Sequence, residues 1–129
     1  MVELIWDAER IGTVRTSSGH TLTIGDPSGF APDELLAMAS AGCLMRAFLQ
    51  AAAEEGVTIL GYMATAHVET PSDAGKPTVR LHSYVVGADG VTTKALERLG
   101  ARAREASAVA RVLGDHLHTE WDLQVLHGA

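Results

Sequence analysis

Cysteine is nearly absent from this sequence, and the shortage limits the chemistry open to it. Cys43 is the only cysteine among 129 residues, so an intramolecular disulfide is excluded. The sequence also contains no CxxC pair, no GxSxG elbow and no phosphate-binding glycine loop. Dithiol, serine-hydrolase and nucleotide-binding chemistry therefore lack support, and we predict no cofactor.

Positive charge is scarce, and long apolar runs are missing. Ten Lys and Arg stand against 16 Asp and Glu, which leaves a formal net charge of −6. Nucleic-acid binding usually requires a clustered basic face, whereas the densest group of arginines here falls on one predicted helix as a solvated face. The sequence has no uninterrupted run of about 18 apolar residues and no visible secretory signal. These absences predict a cytoplasmic protein that binds neither nucleic acid nor a membrane.

Hydrophobic periodicity predicts an α+β fold in a single domain over residues 1–129. Short β-branched stretches punctuated by turn residues predict strands. Two longer alanine- and leucine-rich stretches predict helices, the first with Pro32 in its first turn and closed by Gly56. The predicted elements are strands at 2–9, 12–18 and 20–25, a helix at 33–55, strands at 59–70 and 78–88, a helix at 91–113 and a strand at 117–126.

The first predicted helix is apolar on nearly every side. Leu35, Met38, Met45 and Leu49 form one stripe, and further apolar residues widen it around the helix. One sheet in a domain of this size covers only part of such a surface. We therefore predict a homodimer, in which a second copy of the chain completes the burial.

Cys43 lies on the least apolar side of this helix, among small residues. A free cysteine is ordinarily a small buried hydrophobe. Here Arg46 follows on the same helical face, and a nearby cation favours the thiolate, which is the reactive form. Asp33 and Glu34 at the helix start could orient a guanidinium through paired hydrogen bonds. Residue chemistry alone leaves both a structural thiol and a nucleophile open.

A local motif resembles a known family. The stretch PDELL at 32–36, followed by Ala39, Ala41, Gly42 and Cys43, resembles the signature helix of the OsmC/Ohr family. In that family a Pro-x-Glu-Leu-type start precedes an alanine-rich helix with a reactive cysteine at this spacing, and the order of elements agrees along nearly the whole chain. The resemblance implies an intertwined α+β homodimer with two active sites at the subunit interface. It also implies a thiol-dependent peroxidase that acts on organic hydroperoxides.

The same resemblance implies a role for individual residues. Cys43 takes the place of the peroxidatic cysteine. Asp33 occupies the position of the Ohr-branch glutamate that pairs with the catalytic arginine, and Glu34 that of the acid in more general OsmC-like members. The family arginine comes from an N-terminal Arg-x-Gly setting, which matches Arg10, with Arg15 as the alternative. In this chemistry an arginine lowers the pKa of the thiol and stabilises charge on the leaving oxygen.

The resemblance and the chemistry together predict an apolar pocket beside the thiol, because such a pocket favours an alkyl hydroperoxide over hydrogen peroxide. Aromatic and methionine side chains could line it, although such side chains more often belong to an ordinary core. The candidates are Phe30, Met38, Phe48 and Trp121.

The sequence departs from the family pattern at one position. Family peroxidases carry a second cysteine in the second long helix, where this chain has Ser107 in the stretch EASAVARVL. Serine cannot form the disulfide that resolves a sulfenic acid. The hypotheses left open are a peroxidase with an external thiol reductant, a non-catalytic redox sensor or small apolar ligand-binding protein on the same dimeric fold, and a structural dimer module.

Histidines supply one weak metal signal. His116 and His118 have the spacing of residues that share one face of a strand. Two ligands make a weak site without a third. We therefore predict solvent-facing polar residues on an edge strand, and no metal.

Overall fold

The computed structural model of the chain describes residues 1–25, 29–71 and 75–127, and it divides into two compact units, Met1–Leu36 and Ala37–Ala129. The prediction of an α+β protein is confirmed, as is the order of its strands and its first helix. The elements are β1 (Val2–Ala8), β2 (Ile11–Thr16), β3 (Thr21–Gly25), α1 (Pro32–Glu54), β4 (Ile59–Glu69), β5 (Thr78–Gly87), α2 (Thr93–Ala106), α3 (Ala108–Leu113), a 3-10 turn (Gly114–His116) and β6 (Leu117–Val125).

The N-terminal unit is an antiparallel meander in the order β1-β2-β3. Gly12 allows β1 and β2 to pair closely, because a Cβ there would lie 3.1 Å from the backbone oxygen of Ile5. Every residue of β1 is exposed, including Leu4 and Trp6. A short sheet with an apolar strand left open on both faces buries little surface on its own.

The larger unit is built on a second three-stranded sheet, in the order β4-β5-β6. β4 and β5 form an antiparallel hairpin, of whose predicted loop residues 72–74 lie outside the described part of the chain. β5 and β6 are parallel, so the chain must cross over between them, and α2 and α3 form that crossover. Alternate side chains of β5 are buried under the helices, which place Leu44 and Phe48 of α1 and Leu99 of α2 in the same core.

α1 is the core helix of this unit. It is 23 residues long with a mean hydropathy of 1.4, and among the described helices it alone is long and apolar enough to cross a membrane by those two measures. Its Leu44 and Phe48 side chains are nevertheless fully buried by protein. A core helix of this length satisfies the same two measures, so its composition by itself does not indicate a membrane span.

The predicted helix at 91–113 is interrupted, and in this respect the prediction was wrong. Ser107 has extended backbone angles, with φ −71° and ψ 118°, and it ends α2 and begins α3. Its hydroxyl accepts a hydrogen bond from the backbone N–H of Ala110 at 3.2 Å, while its own N–H donates to Ala103 O at 2.9 Å. Serine caps a helix more readily than it continues one. The interruption turns the Ser107 side chain inward, where it is buried.

The two histidines do not share a strand. His116 belongs to the 3-10 turn, where its Nδ1 lies 3.2 Å from Pro77 O, and only His118 lies on β6. Across the described ranges, no group of three or more His, Cys, Asp or Glu side chains is arranged to hold a metal ion.

Candidate functional site

The thiol of Cys43 faces the break between α2 and α3. Ser107 Oγ donates a hydrogen bond to Cys43 Sγ at 3.2 Å, across 64 residues of sequence. The same oxygen accepts a hydrogen bond from the N–H of Ala110, and the hydroxyl proton of Ser107 is the one donated to the sulfur. Ser107 is 1% exposed, whereas Cys43 is partly exposed. The buried Ser107 hydroxyl thus donates to the sulfur of a residue that is partly exposed to solvent.

These contacts lower the pKa of the Cys43 thiol. The hydrogen bond from Ser107 has the largest effect, followed by that from the backbone N–H of Val109; burial of the sulfur opposes both. The N–H of Ala108 and the charge of Arg46 lower the pKa further. All four groups favour the thiolate, so a larger share of Cys43 is in the nucleophilic form near neutral pH.

Cys43 opens into a groove of about 660 Å³, and the described residues that line it belong to the larger unit. The volume lies within the range of small-molecule sites. Next to the sulfur the lining is small, which gives a reactant room to approach. These small residues are Ala39, Gly42, Ala47, Ala51, Ala106 and Ala108.

The end of the groove away from Cys43 is polar. Glu54 Oε1 accepts a hydrogen bond from Gln50 Nε2 at 3.0 Å, and Glu54 Oε2 accepts one from Arg102. Both oxygens of this carboxylate are therefore engaged. Arg46, one turn of α1 beyond Cys43, is exposed and makes no ion pair with a carboxylate in the described part of the chain.

The other predicted site residues lie in the N-terminal unit. Arg10 is exposed in the turn between β1 and β2, and Arg15 is exposed on β2. Asp33 and Glu34 occupy the first turn of α1. Glu34 Oε1 accepts a hydrogen bond at 3.0 Å from the N–H of Ala31, just before the helix, so it satisfies a backbone group of the helix start. The predicted roles of these arginines and carboxylates in activating Cys43 stay predictions.

Two of the four candidates for the apolar pocket, Phe48 and Trp121, belong to the core. Phe48 is fully buried, and its ring centroid lies 5.5 Å from that of Tyr62 and 5.3 Å from that of Trp121. These rings pack in the core, and none of them lines the groove. Arg102 also lines the groove, and its sequence signal was only a place on a predicted helix, which does not indicate a site residue.

Comparison with known proteins identifies relatives. The family described as OsmC-like protein matches residues 25–122 of the chain. The structure of an OsmC like protein from Mycoplasma pneumoniae superposes with a TM-score of 0.81 at 14% identity, covering 98% of this chain and 96% of that one. No curated protein matches the chain.

Two further solved structures carry functional names. An organic hydroperoxide resistance protein OsmC, described as a predicted redox protein, from Legionella pneumophila gives a TM-score of 0.69 at 22% identity, covering 97% of this chain and 94% of that one. The organic hydroperoxide resistance protein OhrB of Bacillus subtilis gives 0.69 at 16% identity, covering 95% and 96%. At these identities the likeness establishes the fold.

Proposed function

Because the chain belongs to the OsmC-like protein family, we propose that it is a cytoplasmic thiol-dependent peroxidase that reduces organic hydroperoxides through Cys43. The observation that carries the proposal is the hydrogen bond from buried Ser107 to the partly exposed Cys43 sulfur, which favours the thiolate at the wall of a groove. Two structural relatives are named for organic hydroperoxide resistance, which supports a role in oxidative stress.

The proposed first step is a displacement at oxygen. The Cys43 thiolate attacks the terminal oxygen of R–O–O–H, a sulfur–oxygen bond forms, and the O–O bond breaks. The alkoxide leaves with the electron pair of that bond and takes a proton to become an alcohol. Sulfur is oxidised to the sulfenic acid while the peroxide is reduced. Ser107 O–H and the N–H groups of Ala108 and Val109 stabilise the negative charge of the Cys43 thiolate before the attack.

The second half of the cycle needs a thiol from outside the chain. A thiol R′SH condenses with the sulfenic acid of Cys43 to a mixed disulfide and releases water. A second R′SH then displaces Cys43 as its thiol and leaves R′S–SR′. The Ser107 hydroxyl lies beside the Cys43 sulfur, but it contains no sulfur and cannot form the disulfide in place of the first external thiol.

Arg10, with Asp33 or Glu34 as its orienting acid, completes the proposed catalytic set. The guanidinium would stabilise negative charge on the departing oxygen. We expect Arg10→Gln to lower kcat/KM for the hydroperoxide by about a hundredfold, the effect of losing one such donor. Arg15→Gln, at the other exposed N-terminal arginine, is the matched variant. Equal losses in both variants would remove Arg10 from the catalytic set.

A homodimer is part of the proposal. Apolar side chains are exposed on both faces of β1, and Met38, Met45 and Leu49 are exposed along α1. A second copy of the chain would cover exposed apolar surfaces of this kind.

The decisive experiment is consumption of an alkyl hydroperoxide by the purified protein, with a small monothiol or dithiol as reductant. The wild-type chain is compared with Cys43→Ser, which keeps the size of the side chain and removes the only thiol. We expect multiple turnovers that disappear in the variant. No consumption by the wild type, with Cys43 shown to be free and alkylatable, would reject the peroxidase.

A redox sensor is the second candidate, favoured by the absence of a second cysteine from the chain. A sensor consumes one equivalent of hydroperoxide per Cys43 and then stops with every reductant tried. Mass spectrometry of the protein after that equivalent would identify the oxidised sulfur, so the same assay separates the two functions.

A further inference from the structure

We propose that the groove beside Cys43 selects a small thiol that carries a carboxylate, with Arg46 as the residue that determines this preference. The inference rests on the proposed function, because it names the class of external reductant which that function requires. It follows from the charges that line the groove and from the position of Arg46 relative to the sulfur.

The charges of the groove leave Arg46 without a carboxylate partner. Glu54 has one oxygen bonded to Gln50 and the other to Arg102. Arg102 also donates to Glu55 Oε2 at 3.0 Å. Among the described residues that line the groove, Arg46 is therefore the one cation without a neutralising carboxylate.

Oxidation of Cys43 leaves the positive charge of Arg46 still less compensated. In the reduced protein, the thiolate and Arg46 partly offset each other, which is why Arg46 contributes to the lowered pKa of Cys43. In the mixed disulfide the sulfur carries no charge, so the positive charge of Arg46 is no longer offset. An anionic thiol is then attracted at the stage of the cycle where a second thiol is needed.

The spacing fits a short ligand. Arg46 follows Cys43 by three residues, which is about 4.5 Å along the helix axis. A guanidinium can hold a carboxylate through two parallel hydrogen bonds. A thiol with a short carbon chain between sulfur and carboxylate can therefore approach the sulfur that is bonded to Cys43 while its carboxylate contacts Arg46. The alanine and glycine lining beside the sulfur leaves room for that chain.

The reaction balances with the thiol as the only co-reactant. The attacking thiolate forms a sulfur–sulfur bond with the external sulfur of the mixed disulfide, and the bond from that sulfur to Cys43 Sγ breaks. Cys43 leaves with the electron pair of that bond and takes up a proton. The two external sulfurs are oxidised to a disulfide, and Cys43 is reduced.

The test uses a mixed disulfide that is made without any hydroperoxide. Cys43 is first converted to its S-methylthio form with methyl methanethiosulfonate. The rate constants for release of free Cys43 are then measured with 3-mercaptopropionate and with 2-mercaptoethanol, at one pH and low ionic strength. The ratio of the two rate constants is compared between proteins, so the intrinsic reactivity of each thiol cancels.

We expect Arg46→Gln to lower this ratio by about three- to fivefold, as for the loss of an exposed ion pair. Arg46→Lys keeps the charge and retains most of the preference. Arg111→Gln, at an exposed arginine that does not line the groove, leaves the ratio unchanged. Added salt reduces the ratio in the wild type toward that of Arg46→Gln.

An equal ratio in the wild type and Arg46→Gln would overturn the inference, whether or not the protein is a peroxidase. Failure of the wild type to consume hydroperoxide, together with a ratio that depends on Arg46, would reject the proposed function and leave an anion-selective thiol-exchange site.

Discussion

One hydroxyl, that of Ser107, makes two hydrogen bonds with different consequences. It accepts from the N–H of Ala110 and so caps α3, and it donates to Cys43 Sγ. The first bond holds the interruption between α2 and α3 in place, and the second favours the thiolate. A substitution of Ser107 therefore has two effects. Loss of the first bond affects the stability of the fold, and loss of the second affects the reactivity of the thiol.

Replacing Ser107 with alanine should raise the pKa of Cys43. The hydroxyl stabilises only the charged form of the sulfur, so its loss favours the neutral thiol. We expect the midpoint of the pH dependence of iodoacetamide alkylation to move to higher pH, with slower alkylation below that midpoint.

The control for this experiment is Ser83→Ala. Ser83 is also 1% exposed and also hydrogen-bonded, since it accepts from Tyr62 Oη at 3.1 Å, but it lies on β5 and does not line the groove at Cys43. Its loss should leave the alkylation midpoint in place. An unchanged midpoint in Ser107→Ala would mean that the hydroxyl does not determine the thiolate fraction.

Replacing Ser107 with cysteine should allow the chain to form its own disulfide. The two side-chain atoms are already 3.2 Å apart, and a sulfur at position 107 needs only a small movement to reach bonding distance. We expect one equivalent of a mild thiol oxidant to remove both free thiols and two hydrogens from the mass of one chain. Ser83→Cys is the matched variant, and it should keep its thiols or link two chains.

The C-terminal end of α1 is tied to α2 by an ion-pair cluster. Glu55, just beyond the helix, accepts from Arg98 Nη2 at 2.6 Å and from Arg102 Nη1 at 3.0 Å. Arg102 also contacts Glu54. The arginines on α2 are one turn apart, so a single carboxylate at the end of α1 reaches both and fixes how the two helices meet.

The contribution of this cluster should depend on pH. The hydrogen bonds from Arg98 and then Arg102 hold the pKa of the Glu55 carboxyl below its ordinary value of 4.5. A lowered carboxyl pKa stabilises the fold above the pKa of the unfolded chain, and this contribution is lost as the pH falls through the folded pKa.

We therefore expect Glu55→Gln to lower Tm at neutral pH, and the difference from the wild type to shrink as the pH falls below about 4.5. Thermal unfolding followed by circular dichroism measures this. Glu97→Gln, at an exposed α2 carboxylate outside the cluster, should show no such trend. A Tm difference that stays constant into acid would argue against the ion pairs as its source.

At the scale of the whole molecule, the chain leaves much apolar surface uncovered. Leu4 is 66% exposed and Trp6 73% exposed on one face of β1, and Met38 is 47% exposed on α1. Monomeric proteins rarely leave such groups of large apolar side chains in water. We expect multi-angle light scattering to give twice the 13.6 kDa of one chain.

The variant Trp6→Glu should shift this assembly toward the monomer, because it introduces a charge into the surface that the second copy covers. Val112→Glu is the control. Val112 is 84% exposed, but it lies on α3 and belongs neither to β1 nor to α1. Equal masses in the wild type and both variants, at concentrations down to the micromolar range, would place the interface elsewhere.

Local signals in the sequence determined most of the elements. The apolar stripe of α1, with Pro32 at its start and Gly56 just past its end, indicated the helix to within a residue or two. β-branched alternation located the strands in the same way. Ser107 is the exception, because serine within a helical pattern is compatible with both continuation and capping. The choice depends on what its hydroxyl meets, and that partner is 64 residues away.

The sequence by itself determined that the protein has one thiol, since Cys43 is its only cysteine. Its similarity to OsmC-like proteins also lay in the residues around that cysteine. Only the tertiary structure decided that the thiol meets a buried hydroxyl, that the aromatic rings of Phe48, Tyr62 and Trp121 pack in the core, and that Arg46 lines the groove. The physical reason is that a pKa and the lining of a groove depend on contacts between distant segments, which local periodicity does not encode.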